Sequence, residues 1–258
     1  MNLHSGVLAQ RYAHSTKISK NQFRQLSPLE LRTLEVASKE DASSMLKIAV
    51  SSFIEGIFSA ASRRYSWAAI KLYYSMFYSM RAMMLDRGFI VFYLDEKPFV
   101  VHSKAGQSVK KGAGNSHSII FKNFESIFPN SGLIGQEING YECIDWIENQ
   151  RNFYFYKCAP FPDPDCPVIF EKFSKKPRLA MMNYLESVET FSYDPEHSIV
   201  CLPIAALKEA SSFIKLNTDD LFSKHYVDML TSCEINANLL AEFLVRWPIK
   251  PPTHPHAS

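Results

Sequence analysis

Two segments in the first third of the chain have the apolar periodicity of long helices. From Asp41, a residue type that favours helix N-caps, apolar side chains recur on one helical face as far as Arg63. These positions are Leu46, Ala49, Val50, Phe53, Ile57 and Ala60. A second segment, Ser66 to Gly88, is apolar on nearly every side. A helix without a broad polar face belongs at the centre of a bundle or of a dimer interface.

The pattern changes after Gly88. The strings FIVFYL and FVVH, separated by DEKP, predict two short strands joined by a turn. The next segment, GQSVKKGAGNSHS, lacks the order G-x-x-x-x-G-K-[ST] of a phosphate-binding loop, so we expect a flexible loop there. Helical periodicity returns at Ile119 to Phe128 and again from Tyr141.

The C-terminal third is less regular. The prolines of Pro160 to Pro167 exclude a helix and predict a surface turn. Beyond it we expect a helix over Lys176 to Phe191, a strand or extended piece over Ser198 to Ile204, and a last long helix from Asn217 to Arg246. The tail, residues 249–258, is expected to be disordered.

Composition supports a mainly α fold with a substantial core. Nine glycines in 258 residues is below average usage, which fits long uninterrupted helices better than a loop-rich β fold. The net charge of +2 argues neither for nor against nucleic acid, because a neutral total can hide a basic patch.

The cysteines give no sign of a metal site or a disulfide framework. The five of them form no C-x-x-C pair, so we expect no metal and no cofactor, and a reducing cytoplasm suits them. The N-terminus has no apolar signal-peptide core, and we expect no apolar run to reach the length needed to span a bilayer. We therefore expect a cytoplasmic protein that does not insert into a membrane.

Arg151 interrupts an apolar stripe. In a helix starting near Tyr141, the positions that share its face are Ile144, Ile147, Tyr154, Phe155 and Cys158. A guanidinium stays charged and is costly to desolvate unless it is paired. Arg151 therefore needs an acidic partner such as Glu148, a subunit interface or an anionic ligand.

Three strings together resemble the HEPN superfamily of helical bundles: YYSMFYSMRAMM at Tyr73 to Met84, SHSIIFKNF at Ser116 to Phe124, and RNFYFY at Arg151 to Tyr156. With the Asp41 helix they cover roughly residues 41–160, and the last long helix is similar to that of a YaaC-like branch. The resemblance implies an up-and-down bundle that forms a homodimer with the arginine motifs facing across a cleft.

Many HEPN proteins are metal-independent endoribonucleases whose motif is arginine, a polar residue, three further positions and histidine. The resemblance implies that Arg151 and Asn152 bind a phosphate, and it places Tyr156 where the motif has histidine. An unperturbed tyrosine is protonated at neutral pH and is a poor base, so Tyr156 would donate a proton or orient the phosphate. The alternative for Tyr156 is a half-buried aromatic residue with a solvated hydroxyl.

Other polar residues in the resemblance region have weaker functional signals. His117 precedes an apolar helix start, which favours a turn or capping role over that of a catalytic base. Four basic residues could extend a phosphate-binding or RNA-binding rim, although charged runs are usually solvated faces. They are Arg63, Arg64, Lys110 and Lys111.

These observations predict four segments. Residues 1–40 are an N-terminal helical extension in which Ser27 and Pro28 start a helix. Residues 41–160 are the HEPN-like bundle with a small β-hairpin insertion, residues 161–248 are extra C-terminal helices packed on the bundle, and the tail follows.

Two functions remain open. The first is an RNA-directed protein, a metal-independent endoribonuclease or a toxin or antiphage-defence effector, whose partner is a cognate antitoxin or a defence-system subunit. The second is a non-catalytic dimerisation module that docks a partner protein or nucleotide.

Overall fold

The structure, a computed structural model, describes residues 3–19, 22–158, 162–216 and 222–246. These residues form eleven α-helices and seven short strands, which confirms the mainly α class. The helices are α1 (His4–Thr16), α2 (Pro28–Ala61), α3 (Tyr65–Asp86), α4 (Ser116–Ile127), α5 (Cys143–Asn152), α6 (Val168–Lys175), α7 (Pro177–Glu186), α8 (Val188–Phe191), α9 (Ser198–Ser211), α10 (Lys224–Ser232) and α11 (Ala237–Val245). The strands are β1 (Lys17–Ser19), β2 (Gln22–Phe23), β3 (Phe89–Leu94), β4 (Lys97–His102), β5 (Lys110–Lys111), β6 (Glu137–Ile138) and β7 (Tyr141–Glu142).

Helix α2 begins where Ser27 and Pro28 predict a helix start. The Ser27 hydroxyl accepts from the Glu30 backbone N–H at 3.3 Å, and the Glu30 carboxylate accepts from the Ser27 N–H at 2.7 Å. This reciprocal arrangement satisfies two N–H groups that a helix start leaves free. The helix then continues for 34 residues, through the predicted segment boundary at residue 40.

The prediction that Asp41 caps its own helix is wrong, because Asp41 lies inside α2. Its carboxylate accepts from the backbone N–H groups of His4 at 3.1 Å and Ser5 at 2.7 Å, at the first turn of α1. Asp41 therefore caps a neighbouring helix. The sequence shows a capping residue type, but it does not show which helix that residue caps.

The expectation that no segment is long and apolar enough to cross a membrane is also wrong. By length and composition α2 qualifies, although 61% of its most apolar window is buried inside the protein. It packs along α3 and also contacts α1 and α9. That packing is typical of a core helix, which passes the same test as a membrane span.

Helix α3 lies at the centre of the protein, as its apolar surface predicts. Its apolar residues are largely buried, and it contacts α2, α9, α4 and α5. The start of α3 is capped from a distance: the Asp163 carboxylate accepts from the N–H groups of Tyr65 at 2.8 Å and Ser66 at 3.2 Å. Asp163 belongs to the proline-rich segment, whose described residues 162–167 are not helical, as predicted.

The predicted hairpin is confirmed. Strands β3 and β4 pair antiparallel, and Asp95 and Glu96 form the turn with φ of 48° and 63°. The loop expected after it is partly wrong, because Lys110 and Lys111 add a third strand, β5, beside β4.

Two expectations for the C-terminal third are wrong. Ser198 to Ile204 is the start of helix α9, not a strand. Its apolar run is buried on every side, and α9 packs against α3. A short apolar run does not distinguish a buried strand from a buried helix. The last long helix is divided into α10 and α11 around Glu234, whose φ is 59°, and Asn236 caps α11. The start predicted at Asn217 and the predicted disordered tail lie outside the described residues.

Candidate functional site

Arg151 lies in the last turn of α5 with its guanidinium against α3. The guanidinium carbon is 4.7 Å from the centroid of the Tyr73 ring, and Nη1 donates to Asn152 Oδ1 at 2.6 Å. Nε is buried and has no hydrogen-bond partner among the described residues. The position is therefore fixed by a cation–π contact and one neighbouring amide.

Arg151 forms no ion pair with any carboxylate of the described ranges. Pairing with Glu148, one of the three alternatives that the sequence leaves open for Arg151, is therefore not made as a direct ion pair. Burial raises the pKa of the Glu148 carboxyl, and the charge of Arg151 acts in the opposite direction. A partly buried guanidinium without a carboxylate partner retains its capacity to bind an anion.

Next to Arg151, Tyr73 and His117 form a hydrogen-bonded pair. The Tyr73 hydroxyl lies 2.6 Å from His117 Nδ1, and the His117 ring stacks on Phe77 at 4.1 Å between centroids. Burial and, to a smaller extent, the charges of Arg151 and Arg81 lower the pKa of His117 to about 4. Burial also raises the pKa of the Tyr73 phenol above its ordinary value. At neutral pH both partners are uncharged.

This hydrogen bond determines what His117 Nε2 can do. When the Tyr73 hydroxyl donates to Nδ1, Nε2 carries the ring proton and can donate to a phosphate oxygen. When Nδ1 donates to the hydroxyl, the Nε2 lone pair can accept a proton. In both tautomers Tyr73 fixes the orientation of the ring, as the hydrogen-bonded partners of catalytic histidines do.

Arg81, two turns after Tyr73 on α3, is a second cation close to His117. It is half-buried, and desolvation lowers its pKa, although an arginine side chain remains charged at neutral pH. Among the described residues Arg81 makes no ion pair. The Asp41 carboxylate lies within electrostatic range of Arg81 but is bonded to the start of α1. We call Arg151, Arg81, Tyr73 and His117 the arginine cluster.

The structure places Asn152 in contact with Arg151 but leaves Tyr156 outside the cluster. Tyr156 is 70% exposed, and its ring packs edge-on against Phe155 at 4.5 Å. Its segment, Phe153–Lys157, is a π-helical turn, closed by the Cys158 N–H bonding to Phe153 O. With α-helical spacing Asn152 and Tyr156, four residues apart, would share one face, but the wider π-helical turn changes the direction of each side chain.

The four basic residues of the predicted rim lie on two separate elements. Arg63, with φ of 58°, and Arg64 form the turn between α2 and α3. Lys110 and Lys111 are exposed on β5. No hydrogen bond or ion pair connects any of them to Arg151 within the described parts of the chain.

Sequence reasoning did not place Tyr73 and His117 beside Arg151. Tyr73 lies within an apolar helix, where a tyrosine is normally a core residue. His117 is in the first turn of α4, whose actual cap is Asn115, accepting from Ser118 N–H at 2.9 Å. The available signal was the resemblance itself, because its three strings contain Tyr73, His117 and Arg151.

One group of described residues has the spacing of metal ligands. Ligand atoms of Asp194, Glu196 and His197 lie within 4.8 Å of one another, but the two carboxylates are exposed. Lys172 pairs with Glu196 at 3.2 Å, and His197 Nδ1 is bonded to the Tyr184 hydroxyl at 2.8 Å. The Asp194 carboxylate accepts from the Glu196 N–H at 2.9 Å. Because all three side chains already have protein partners, the group is explained without an ion.

Comparison with known proteins adds no family to these observations. No family model matches the chain, and neither a curated protein nor a solved structure matches it.

Proposed function

We propose that this protein is an RNA-directed protein of the HEPN type that binds a phosphodiester at the arginine cluster. The observation that carries the proposal is the position of Arg151. Its guanidinium is partly buried, has no carboxylate partner among the described residues, and lies beside a tyrosine and a histidine. Arginine is the residue best suited to bind phosphate through paired hydrogen bonds.

The reaction that this cluster supports is metal-independent cleavage of RNA. The ribose 2′-oxygen attacks the adjacent phosphorus and forms the O2′–P bond, while the bond from phosphorus to the 5′-oxygen breaks. The 2′-proton passes to a base, the 5′-oxygen gains a proton, and the products are a 2′,3′-cyclic phosphate and a 5′-hydroxyl. Arg151 and Arg81 neutralise the charge that develops on the phosphate.

His117 replaces Tyr156 as the proposed proton-transfer residue. A bound phosphate opposes the charges of Arg151 and Arg81, so it raises the pKa of His117 toward neutrality, where proton transfer is most effective. Tyr73 orients the ring. Asn152 holds the guanidinium of Arg151 in position.

The test incubates purified protein with mixed single-stranded RNA in excess chelator. Wild type should produce fragments with cyclic phosphate ends, and Arg151→Ala should abolish them because the phosphate loses its countercharge. Arg11→Ala, which removes an exposed arginine from α1, should have no effect. If wild-type protein leaves RNA intact and Arg151→Ala binds RNA as tightly as wild type, the proposal is wrong.

The second candidate is a non-catalytic module that binds RNA, a nucleotide or a partner protein without cleavage. The lowered pKa of His117 favours it, because a weakly basic ring abstracts protons poorly. RNA binding that depends on Arg151 without any cleavage product would select this candidate.

We also propose a homodimer that joins near Arg151. The π-helical turn after Arg151 exposes three aromatic side chains, Phe153, Phe155 and Tyr156. Adjacent exposed aromatic residues are typical of protein interfaces. Light scattering after gel filtration should give about twice the chain mass, and a monomer at micromolar concentration would exclude this assembly.

A further inference from the structure

A groove runs along the outer face of α2 and α3 and is bordered by α10. Four side chains of α3 lie along it at spacings of four, three and four residues, which is one face of the helix: Trp67, Lys71, Tyr74 and Tyr78. The groove consists of two adjoining hollows of about 350 Å³ and about 460 Å³, which share Glu55, Trp67 and Lys71. We call this the α2–α3 groove.

The aromatic rings of the groove are accessible from solvent. Trp67 is 56% exposed, whereas Trp146 is buried. Tyr74 and Tyr78 stack at 5.5 Å with 24° between their planes, and Tyr226 of α10 lines the opposite wall. By helix rise, the stripe from Trp67 to Tyr78 is about 16 Å long, which is enough for more than one stacked ring.

The groove has two cationic side chains, of which Arg64 forms no ion pair among the described residues. Lys71 and Arg64 line it, and Arg64 lies over the Phe58 ring at 5.4 Å. Its acidic residue, Glu55, is paired with Lys71 at 2.5 Å. Cationic and aromatic side chains alternating along one groove are what proteins use to follow a nucleic-acid strand.

Tyr74 connects the groove to the arginine cluster. It lines the groove, and its ring contacts Tyr73 at 5.3 Å and His117 at 5.9 Å. These ring contacts place the groove next to the arginine cluster. Nucleotides that flank a phosphate at Arg151 would therefore lie near Tyr74.

We infer that the α2–α3 groove binds the bases of single-stranded RNA by stacking on Trp67 and the tyrosines, next to the phosphate held at the arginine cluster. This inference rests on the proposed function, because it takes RNA to be the ligand of that cluster. Single-stranded bases can stack on a protein ring, whereas those of a duplex are already stacked and paired. The contact is sequence-tolerant because every base has a π face.

The test measures fluorescence anisotropy of a labelled, fully 2′-O-methylated RNA of about 12 nucleotides, which cannot be cleaved. Trp67→Ala should weaken binding by about 10-fold, and Trp67→Phe should retain most of the affinity because a ring remains. The matched control is Tyr141→Ala: Tyr141 is 55% exposed on β7, close to the exposure of Trp67, and lies outside the groove. A duplex of the same sequence should bind more weakly than the single strand.

The outcomes separate this inference from the proposed function. If Arg151→Ala weakens binding and Trp67→Ala does not, the groove inference is wrong and the proposed function stands. If Trp67→Ala weakens binding and Arg151→Ala does not, the groove binds RNA and the arginine cluster is not its phosphate site. If neither variant changes binding, both are wrong. If Trp67→Ala halves the mass found by light scattering, the groove is an interface between copies and the inference is overturned.

Discussion

The described residues include two tyrosine–histidine hydrogen bonds of similar length, although the two rings are nearly parallel in one pair and nearly perpendicular in the other. In one, the Tyr73 hydroxyl lies 2.6 Å from His117 Nδ1, and in the other the Tyr184 hydroxyl lies 2.8 Å from His197 Nδ1. Both tyrosines are buried, and burial raises the pKa of each phenol. A tyrosine–histidine hydrogen bond therefore contributes to the packing of the core in this fold and does not by itself indicate a functional site.

The charges around the two pairs are opposite in sign. His117 lies close to Arg151 and Arg81, neither of which has a carboxylate partner among the described residues. His197 follows Asp194 and Glu196, and Glu196 is already paired with a lysine. Unsatisfied positive charge, not the pair, gives the first region its capacity to bind an anion.

The largest difference should appear when each histidine is removed. His117→Ala should lower RNA cleavage by about 100-fold or more, because positioned proton transfer contributes at least that much. His197→Ala should leave cleavage unchanged, since its ring contacts only Tyr184 and Phe191 among the described aromatic residues. Initial rates in excess chelator measure both.

Equal losses of cleavage in His117→Ala and His197→Ala would show that the two tyrosine–histidine pairs do not differ in function. Circular dichroism of both proteins is the control for folding, because each variant also loses a ring contact.

The sequence predicts the central elements of the fold well and the peripheral ones poorly. Ser27 and the Tyr73 helix were placed correctly because capping chemistry and apolar periodicity are local properties. Asp41, α9 and the division between α10 and α11 were misplaced, because each depends on what the segment contacts in three dimensions.

The sequence likewise predicts some residues of the candidate site and not others. Arg151 was found because an arginine interrupts an apolar stripe, which the sequence shows directly. Its partners Tyr73 and His117 are 78 and 34 residues away along the chain (151 − 73 and 151 − 117), so only the packing of α3, α4 and α5 brings them together. Tyr156 was named from its position in the motif, and the π-helical turn that begins just after Asn152 leaves it 70% exposed.

A smaller effect should be common to both pairs. Tyr73→Phe and Tyr184→Phe each remove one hydroxyl and leave one histidine nitrogen without its partner, which should cost about 1–2 kcal/mol in the free energy of unfolding. Urea denaturation at neutral pH measures both. Only Tyr73→Phe should also slow RNA cleavage, because His117 loses its orientation. A much larger loss of stability for Tyr73→Phe would indicate that the first pair is chiefly structural.

The smallest expected effect concerns acid and tests the electrostatics of the first pair. The pKa of His117 is lowered to about 4 in the folded protein, while an unfolded histidine titrates near its ordinary 6.5. Between these values the unfolded chain binds a proton that the folded protein excludes, so unfolding becomes easier as pH falls. The contribution of His117 is fully present above pH 6.5 and is lost as pH falls toward 4.

Because the His117 ring is only partly buried, solvent screening reduces this contribution to about 1 kcal/mol. The measurement compares the urea midpoints of wild type and His117→Gln at neutral pH and near pH 4. The glutamine keeps an acceptor for the Tyr73 hydroxyl. Other groups titrate equally in both proteins, so the difference between their pH slopes isolates His117. Inorganic phosphate should flatten the wild-type slope, because an anion at Arg151 raises the pKa of His117. Identical slopes for the two proteins would show that the cluster does not hold His117 in its neutral form.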